Sequence, residues 1–429
     1  MKLAYIVTTL PALSETFILR EIQGMVARGC EVDVFALKRA KQSHSTGPFC
    51  VSEVLKRSRF SRPDNLLRDF AANLTAFLLH PVRYCSILSI YAKESWSVAP
   101  SMAMRILYHF FCGIGIAATL RRRKVVHIHS HFAGVEIALA ASLFSGVPYS
   151  WTAQASKDIY VKPVLLRAKV RYCRFIAAVS SYNKRYLESL CPGSSSKIHV
   201  IPNGVYLSEA HVAEALKAAR PATMFRIVSA GRLIAVKGFQ TLIETCDILR
   251  HRGCQIECRI LGGGEEEGAL RRMISERGLD EVVSLSGYLP LREIYAEMAE
   301  GDVFVLLSEI GENGYRDGLP TVIIEAMLMS LPVVSTYISG IPELVIDSVT
   351  GFLVPERNPN TAADALERLI ADSKLRTGFG SAGRARVEAR FDADTNLDCL
   401  FKMITSDTRE ANSFTPAPVD TVSRVFPDR

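Results

Sequence analysis

Four side chains in the second half of the sequence could carry chemistry. Asp317 and Glu325 lie eight residues apart, on either side of Gly318-Leu319-Pro320, and Arg232 and Lys237 lie five apart in Gly-Arg-Leu-Ile-Ala-Val-Lys-Gly. Two carboxylates at that spacing can act as acid and base or grip hydroxyl groups; the plainer account is a capping Asp and a solvated helix Glu. A guanidinium and an ammonium set so close suit a diphosphate, sharing its charge with free helix amides; the plainer account is a pair of surface cations.

The local pattern places all four beyond strand ends. Val303 to Leu307 reads as a buried strand, Ser308 to Gly318 as a polar loop and TVIIEAMLM after Pro320 as a helix, and PVVST from Pro332 is the next strand. Strand, loop, helix, strand is one unit of an open parallel sheet, where ligands sit past the carboxyl ends of the strands. Arg226 to Ala230 is another strand, and Arg232 and Lys237 fall between its end and a helix from Phe239 to Arg250. Gln255 to Leu261 is a strand that runs into Gly262-Gly263-Gly264 and three glutamates. That run is not a triphosphate loop, because Lys-Ser/Thr is missing and the carboxylates would repel phosphate. Nor is it a dinucleotide fingerprint, which needs its own strand and helix context and a placed acid. Glu343 sits in a turn near the candidate site, whereas the acids of 361–390 read as solvent-facing.

The first half opens with a strand, Leu3 to Thr8, a helix from Phe17 to Ala27 and a strand from Val32 to Leu37. Ser14 and Glu15 cap that helix or stand with its amides toward a ligand's anionic group. Residues 40–124 mix aromatic, aliphatic and basic residues at helical spacing and read as amphipathic helices, either core-facing or laid on a membrane. His127, His129 and His131 share one face of a strand, which suggests zinc, but no acidic or thiol fourth ligand lies in register. His131, at the strand end, is instead expected to meet a ligand or cap the helix from Gly134 to Phe144. Gln154, Lys157 and Asp158 follow the strand Tyr149 to Ala153 and so reach a site edge.

The chain has 429 residues, 48% hydrophobic and 22% charged, an ordinary globular composition long enough for two or three domains. No uninterrupted apolar run reaches the length of a bilayer span, so no spanning helix is expected. The ten cysteines are scattered, which fits a reducing compartment better than a disulfide framework. Charge is unevenly spread. Met1 to Val205 holds 27 Lys+Arg against 11 Asp+Glu, a net of +16, and the remainder is net −9. The basic half is expected to face an anionic membrane surface or a lipid phosphate; no nucleic-acid-reading motif accompanies it.

In order, SETFILREI, HIHSHFA, TAQASKDIY, IPNGV, AGRLIAVKGFQTLIE, DGLPTVIIEAM and SGIPELV resemble the retaining glycosyltransferases of family 4, in the bacterial exopolysaccharide and colanic-acid branch. The resemblance covers about residues 1–405. It implies α/β GT-B architecture: two Rossmann-like, doubly wound domains facing across a cleft, with a C-terminal helix crossing back to the first. The expected division is an acceptor domain over 1–207, a linker over 208–224 and a nucleotide-sugar domain over 225–390. A cross-over helix over 391–405 and a disordered tail over 406–429 complete it. The resemblance further implies that Arg232 and Lys237 steady the diphosphate as the sugar departs, and that Glu325 holds the ribose. Asp317 and the amides of Gly318 and Leu319 would hold the sugar. Pro320, Gly231, Gly263 and Gln154 fall on the donor side; His131, Ser14, Glu15, Lys157 and Asp158 fall on the acceptor side. No metal or other cofactor is implied, and no enzyme nucleophile.

The substrate is then a UDP- or GDP-sugar, and the acceptor a glycan or lipid-linked oligosaccharide of exopolysaccharide synthesis. The expected location is cytoplasmic, peripheral on the inner membrane face. Two departures from the family pattern stand out. Asp317 replaces a Glu, shortening the side chain by a methylene, and Gln154 replaces a His, keeping hydrogen bonds but losing a proton carrier. They motivate a second reading, a degenerate homologue that binds nucleotide or glycan as an assembly partner. A sugar-nucleotide epimerase of the same architecture would need a further acid-base carboxylate set, which the sequence does not offer.

Overall fold

The computed structural model describes residues 1–10, 16–39, 58–60, 66–154, 159–209 and 224–406. The stretches expected to be linker and tail lie almost wholly outside them.

Short runs of β-branched and aliphatic residues build two all-parallel sheets. The first contains β1 (Lys2–Leu10), β2 (Glu31–Arg39), β3 (Ser58–Phe60), β4 (His127–His131), β5 (Tyr149–Ala153), β6 (Ile176–Ala178) and β7 (Ile198–Val200), in the order β3-β2-β1-β4-β5-β6-β7. The second contains β8 (Phe225–Ala230), β9 (Ile256–Leu261), β10 (Val283–Leu285), β11 (Val303–Leu306), β12 (Val333–Thr336) and β13 (Gly351–Val354), in the order β10-β9-β8-β11-β12-β13. Both orders reverse direction beside their first strand, so the loops leaving β1 and β4, and those leaving β8 and β11, diverge and open a crevice.

Helices cover the sheet faces. In the first half they are α1 (Thr16–Ala27), α2 (Leu66–Leu79), α3 (Pro81–Ser95), α4 (Pro100–Arg122), α5 (Gly134–Ser145), α6 (Leu166–Tyr172) and α7 (Ser181–Leu190). In the second they are α8 (Phe239–His251), α9 (Glu267–Glu276), α10 (Leu291–Ala299), α11 (Thr321–Leu328), α12 (Ile341–Leu344), α13 (Pro359–Ala371), α14 (Ser373–Arg390) and α15 (Ala393–Thr405). The stretch read as amphipathic helices resolves into α2, α3 and α4, preceded by the three-residue edge strand β3, which the sequence pattern does not reveal.

By length and composition alone α4 could cross a bilayer, although no uninterrupted apolar run in the sequence could. It is a core helix here. Ile106, Phe110, Ile114 and Leu120 are buried, and Gly113 lets α5 approach so closely that a Cβ would lie 2.6 Å from that of Ala140.

The last helix returns to the first half, as GT-B architecture requires. Leu397, Leu400, Met403 and Ile404 of α15 join the core formed by β1, β2 and α1. Arg28, just past α1, binds Asp398 at 2.7 Å and Asp394 at 3.3 Å. The entry to α15 is pinned to the Ile-Pro-Asn-Gly-Val segment: Val205 N donates to the Phe391 carbonyl at 3.0 Å and Ala393 N to the Val205 carbonyl at 2.9 Å. Gly204 makes this possible, since a Cβ there would sit 2.7 Å from the Ala393 backbone. Gly204→Ala is therefore expected to lower stability by about 1–3 kcal/mol through overpacking. Calorimetry would read this as a lower Tm, and an unchanged Tm would mean the crossing strand tolerates a side chain.

Candidate active site

The crevice between β8 and β11 gathers the second-half candidates. Gly238, at φ 65°, ends the Arg232–Lys237 loop and starts α8; a Cβ there would collide with the Leu307 carbonyl at 1.8 Å, so this close crossing of the two loops requires glycine. Glu309 N donates to the Val236 carbonyl at 3.0 Å and fixes the crossing. Lys237 Nζ meets Asp317 Oδ2 at 2.9 Å, and Ser308 Oγ donates to the same oxygen at 2.9 Å. The two groups assigned to diphosphate and to sugar are thus partners across the crevice. Arg232 is exposed at its edge. Gly263 lies against the Tyr288 ring, and its carbonyl accepts from Leu233 N at 3.1 Å, tying the loop after β9 to that of Gly231 and Arg232. Gly318, Leu319 and Pro320 are buried, and the Gly318 carbonyl accepts from Gly340 N at 2.9 Å.

Glu325 is not a solvated helix residue. It is buried on α11 and receives Arg20 Nη1, from the other half of the chain, at 3.2 Å. Arg20 Nη2 donates to Glu209 Oε2 at 2.9 Å and to Tyr295 Oη at 3.0 Å, and Tyr295 in turn donates to Glu209. Burial pushes the Glu325 carboxyl above its usual range, and the Arg20 charge opposes that shift. For Arg20 burial alone would lower the pKa, but Glu325, Tyr295 and Glu209 outweigh it, so the guanidinium stays charged.

Two further contacts join the halves beside the crevice. The Glu343 carboxylate accepts from Ser181 N at 2.8 Å and Tyr182 N at 2.7 Å, the first amides of α7. Arg316, next to Asp317, places its guanidinium 4.4 Å from the Tyr160 ring centre, 5.3 Å from that of Tyr186 and 5.7 Å from that of Tyr182. Stacking of this kind suits the planar, weakly hydrated arginine.

In the first half, His131 is fully enclosed. Its Nε2 faces Glu21 Oε1 at 3.2 Å, and its ring stacks on Tyr5. His129 faces the same carboxylate at 3.3 Å as well as Ser150 and Thr152, while His127 turns to Ser150. Glu21 is the acid that the strand pattern could not supply, because it comes from α1. The ligand atoms of Glu21, His129 and His131 lie within 4.8 Å of one another, and Tyr5 also donates to Glu21 at 2.8 Å. This is a hydrogen-bonded cluster of the core. Gln154 is buried and exchanges two amide hydrogen bonds with Asn203 at 2.8 and 3.2 Å. Ser14, Glu15, Lys157 and Asp158 lie outside the described residues.

Known proteins resolve what this crevice belongs to. The model of the family described as Glycosyltransferase Family 4 matches residues 14–209, and that of Glycosyl transferases group 1 matches residues 214–386. The chain is a glycosyltransferase. WcaL of Escherichia coli (strain K12), named as a colanic acid biosynthesis glycosyltransferase, is 29% identical over 95% of this chain and 99% of its own. The amylovoran biosynthesis glycosyltransferase AmsK of Erwinia amylovora is 28% identical over 91% of this chain and 96% of its own. Among solved structures, a glycosyltransferase from Rickettsia africae ESF-5 superposes with a TM-score of 0.67 at 17% identity, over 95% of this chain and 99% of that one. Anabaena Alr3699/HepE, solved in complex with UDP-glucose, gives 0.67 at 18% identity over 95% and 100%. At these identities the structures speak for the fold, which is GT-B.

Two outcomes follow for the glycosyltransferase. Arg20→Met would leave Glu325 and Glu209 buried without their cation, and removing one partner of such a cluster costs about 3–5 kcal/mol. Urea unfolding should show a midpoint lowered to match; an unshifted midpoint would mean that water reaches the cluster. The second outcome concerns acid. Burial lowers His129 from 6.5 to about 4. Burial would raise Glu21, but His131, His129 and Tyr5 outweigh it and take it from 4.5 to about 2. In both cases the unfolded chain binds more protons, so stability is full above pH 6.5 and declines as pH falls toward about 2. Tm measured against pH should fall over this range, and Glu21→Gln should flatten the part below 4.5.

Proposed function

We propose that this glycosyltransferase moves a hexose, with retention, from a nucleoside-diphosphate sugar to a lipid-linked or oligosaccharide acceptor in exopolysaccharide assembly. The observation that carries the reading is the Lys237–Asp317 contact at 2.9 Å across the second crevice, with Arg232 exposed beside it. A diphosphate entering there meets two cations. Asp317 is displaced from Lys237 toward the sugar hydroxyls, helped by the amides of Gly318 and Leu319. Glu325, steadied by Arg20, takes the ribose. Gly231 and Gly263 let backbone approach the phosphates. The names of WcaL and AmsK, both from exopolysaccharide pathways, support the acceptor class, and the UDP-glucose complex of Alr3699/HepE supports the donor class.

In the reaction the bond between the anomeric carbon and the phosphate oxygen breaks, and the acceptor oxygen bonds that carbon from the same face. The acceptor proton passes to the departing phosphate oxygen. Arg232 and Lys237 carry the charge that develops on the diphosphate, so the reading calls for no divalent ion and no enzyme nucleophile. The acceptor approaches from the first half; His131, expected on that side, is enclosed in the core and takes no part in its binding. The basic first half holds the enzyme at the inner face of the cytoplasmic membrane.

The test is a panel of UDP- and GDP-sugars read first by thermal shift, since the right donor raises Tm, and then by transfer to a membrane-extracted acceptor. Arg232→Ala and Lys237→Ala should each lower kcat by about a hundredfold or more, and Glu325→Ala should weaken donor affinity and also lower Tm, because it strands Arg20. No shift and no transfer with any donor would overturn the reading, and donor binding without turnover would favour the degenerate homologue.

A further inference from the structure

Helix α2 has its polarity reversed for a helix on a water-facing surface. The side packed on α4 carries two polar residues beside Ala76. Asp69 and Asn73 are buried, Asn73 Nδ2 donates to the Phe111 carbonyl at 2.9 Å, and Tyr84 Oη donates to Asn73 Oδ1 at 3.2 Å. Gly115 of α4 makes room, because a Cβ there would lie 2.5 Å from Asp69 Oδ1. The opposite side is apolar: Leu67 is 88% exposed, Phe70 61%, Leu74 49% and Leu78 66%. Spacings of three and four residues align them in one stripe, and Val82 of α3 extends the apolar surface. Single exposed apolar residues are ordinary, but a whole helix face of them marks a contact surface.

The charge around the stripe selects its partner. Between residues 66 and 124 the chain holds eight Lys+Arg and two acids, Asp69 and Glu94. Both acids are engaged inward: Asp69 is buried, and Glu94 accepts from Leu165 N at 2.9 Å. The contacts of Asp69 with Gly115 and of Asn73 with Phe111 show α2 running antiparallel to α4. The exposed Arg122 and Lys124, at and just past the end of α4, therefore come to the Leu67 end of the stripe, near Arg68. A second copy seated on this face would set cation against cation. An anionic bilayer satisfies both features, receiving the leucines and phenylalanine among its acyl chains and the cations at its headgroups.

We propose that the outer face of α2, flanked by Arg68, Arg122 and Lys124, docks the enzyme on an anionic lipid bilayer. The inference deepens the lipid-linked acceptor reading by naming the surface that contacts lipid, and it is measured without turnover, so a failure of the sugar-transfer reading leaves its outcome unaffected. The full chain is sedimented with vesicles of phosphatidylcholine mixed with phosphatidylglycerol, and with phosphatidylcholine alone. Binding to the mixed vesicles is expected, weakening with salt, and Leu67→Glu with Leu74→Glu should weaken it by about tenfold or more. Circular dichroism and Tm verify that the variant folds, and Leu67→Ser with Leu74→Ser serves if it does not. Arg122→Ser with Lys124→Ser should lower affinity for the mixed vesicles only. Equal sedimentation of wild type and the leucine variants would overturn the proposal, as would binding to neither vesicle. A dimer in solution that the leucine variants convert to monomer, without vesicle binding, would also overturn it by giving the stripe to a second copy.

Discussion

Arg20 is the point at which the two sheets become one enzyme. A guanidinium buried between Glu325, Glu209 and Tyr295 has no access to solvent for its charge. Its partners come from three places: the helix after β11, the segment leaving the first half, and α10. Removing any of them leaves charge without compensation in a low-dielectric setting, the most costly defect a core can hold. The interaction also has direction. Arg20 donates in a fixed fork, so it fixes the orientation of the Glu325 side chain as well as its charge. The carboxylate proposed for the ribose is thereby held by the half of the molecule proposed to receive the acceptor.

Around that centre the remaining contacts fall into two sets. Within the second half, Lys237, Asp317 and Ser308 lock the loops after β8 and β11 to each other. Between halves, Glu343 caps α7, and Arg316 sits among three tyrosines. Arg316 and Asp317 are neighbours in the chain but serve different sets. One loop therefore registers both the state of the donor crevice and the approach of the opposite half.

The fold was largely legible in the sequence because its strands are short aliphatic runs that alternate with helical periods, from Leu3 to Thr8 through to PVVST. The loops of Arg232, Lys237 and Asp317 were legible for the same reason, since a strand end followed by a helix start places whatever lies between them. Arg20 and Glu21 were not. They stand in an ordinary helical stretch, and their partners lie 305 and 110 residues away, beyond the reach of local periodicity. Nor does local pattern reveal Arg316, because its tyrosine cage spans two parts of the first half. The edge strand β3 has three residues and too little pattern to declare itself. In α2 the helical period was plain, yet the usual assumption that apolar means inward assigns the wrong face.

The closing helix α15 changes what counts as a half of this molecule. The core of the first half is completed by residues from the far end of the chain, and the second half is bonded through Glu325, Arg316 and Glu343 to residues of the first. A hybrid made by joining the leading half of one relative to the trailing half of another at the linker would cut through both relationships. To exchange donor preference by recombination, the graft would have to bring α15 with its first-half bed, and Arg20, Tyr160, Tyr182 and Tyr186 with their second-half partners. The natural unit of inheritance for specificity here is a set of matched contacts scattered along the chain, and no single cut point delivers it.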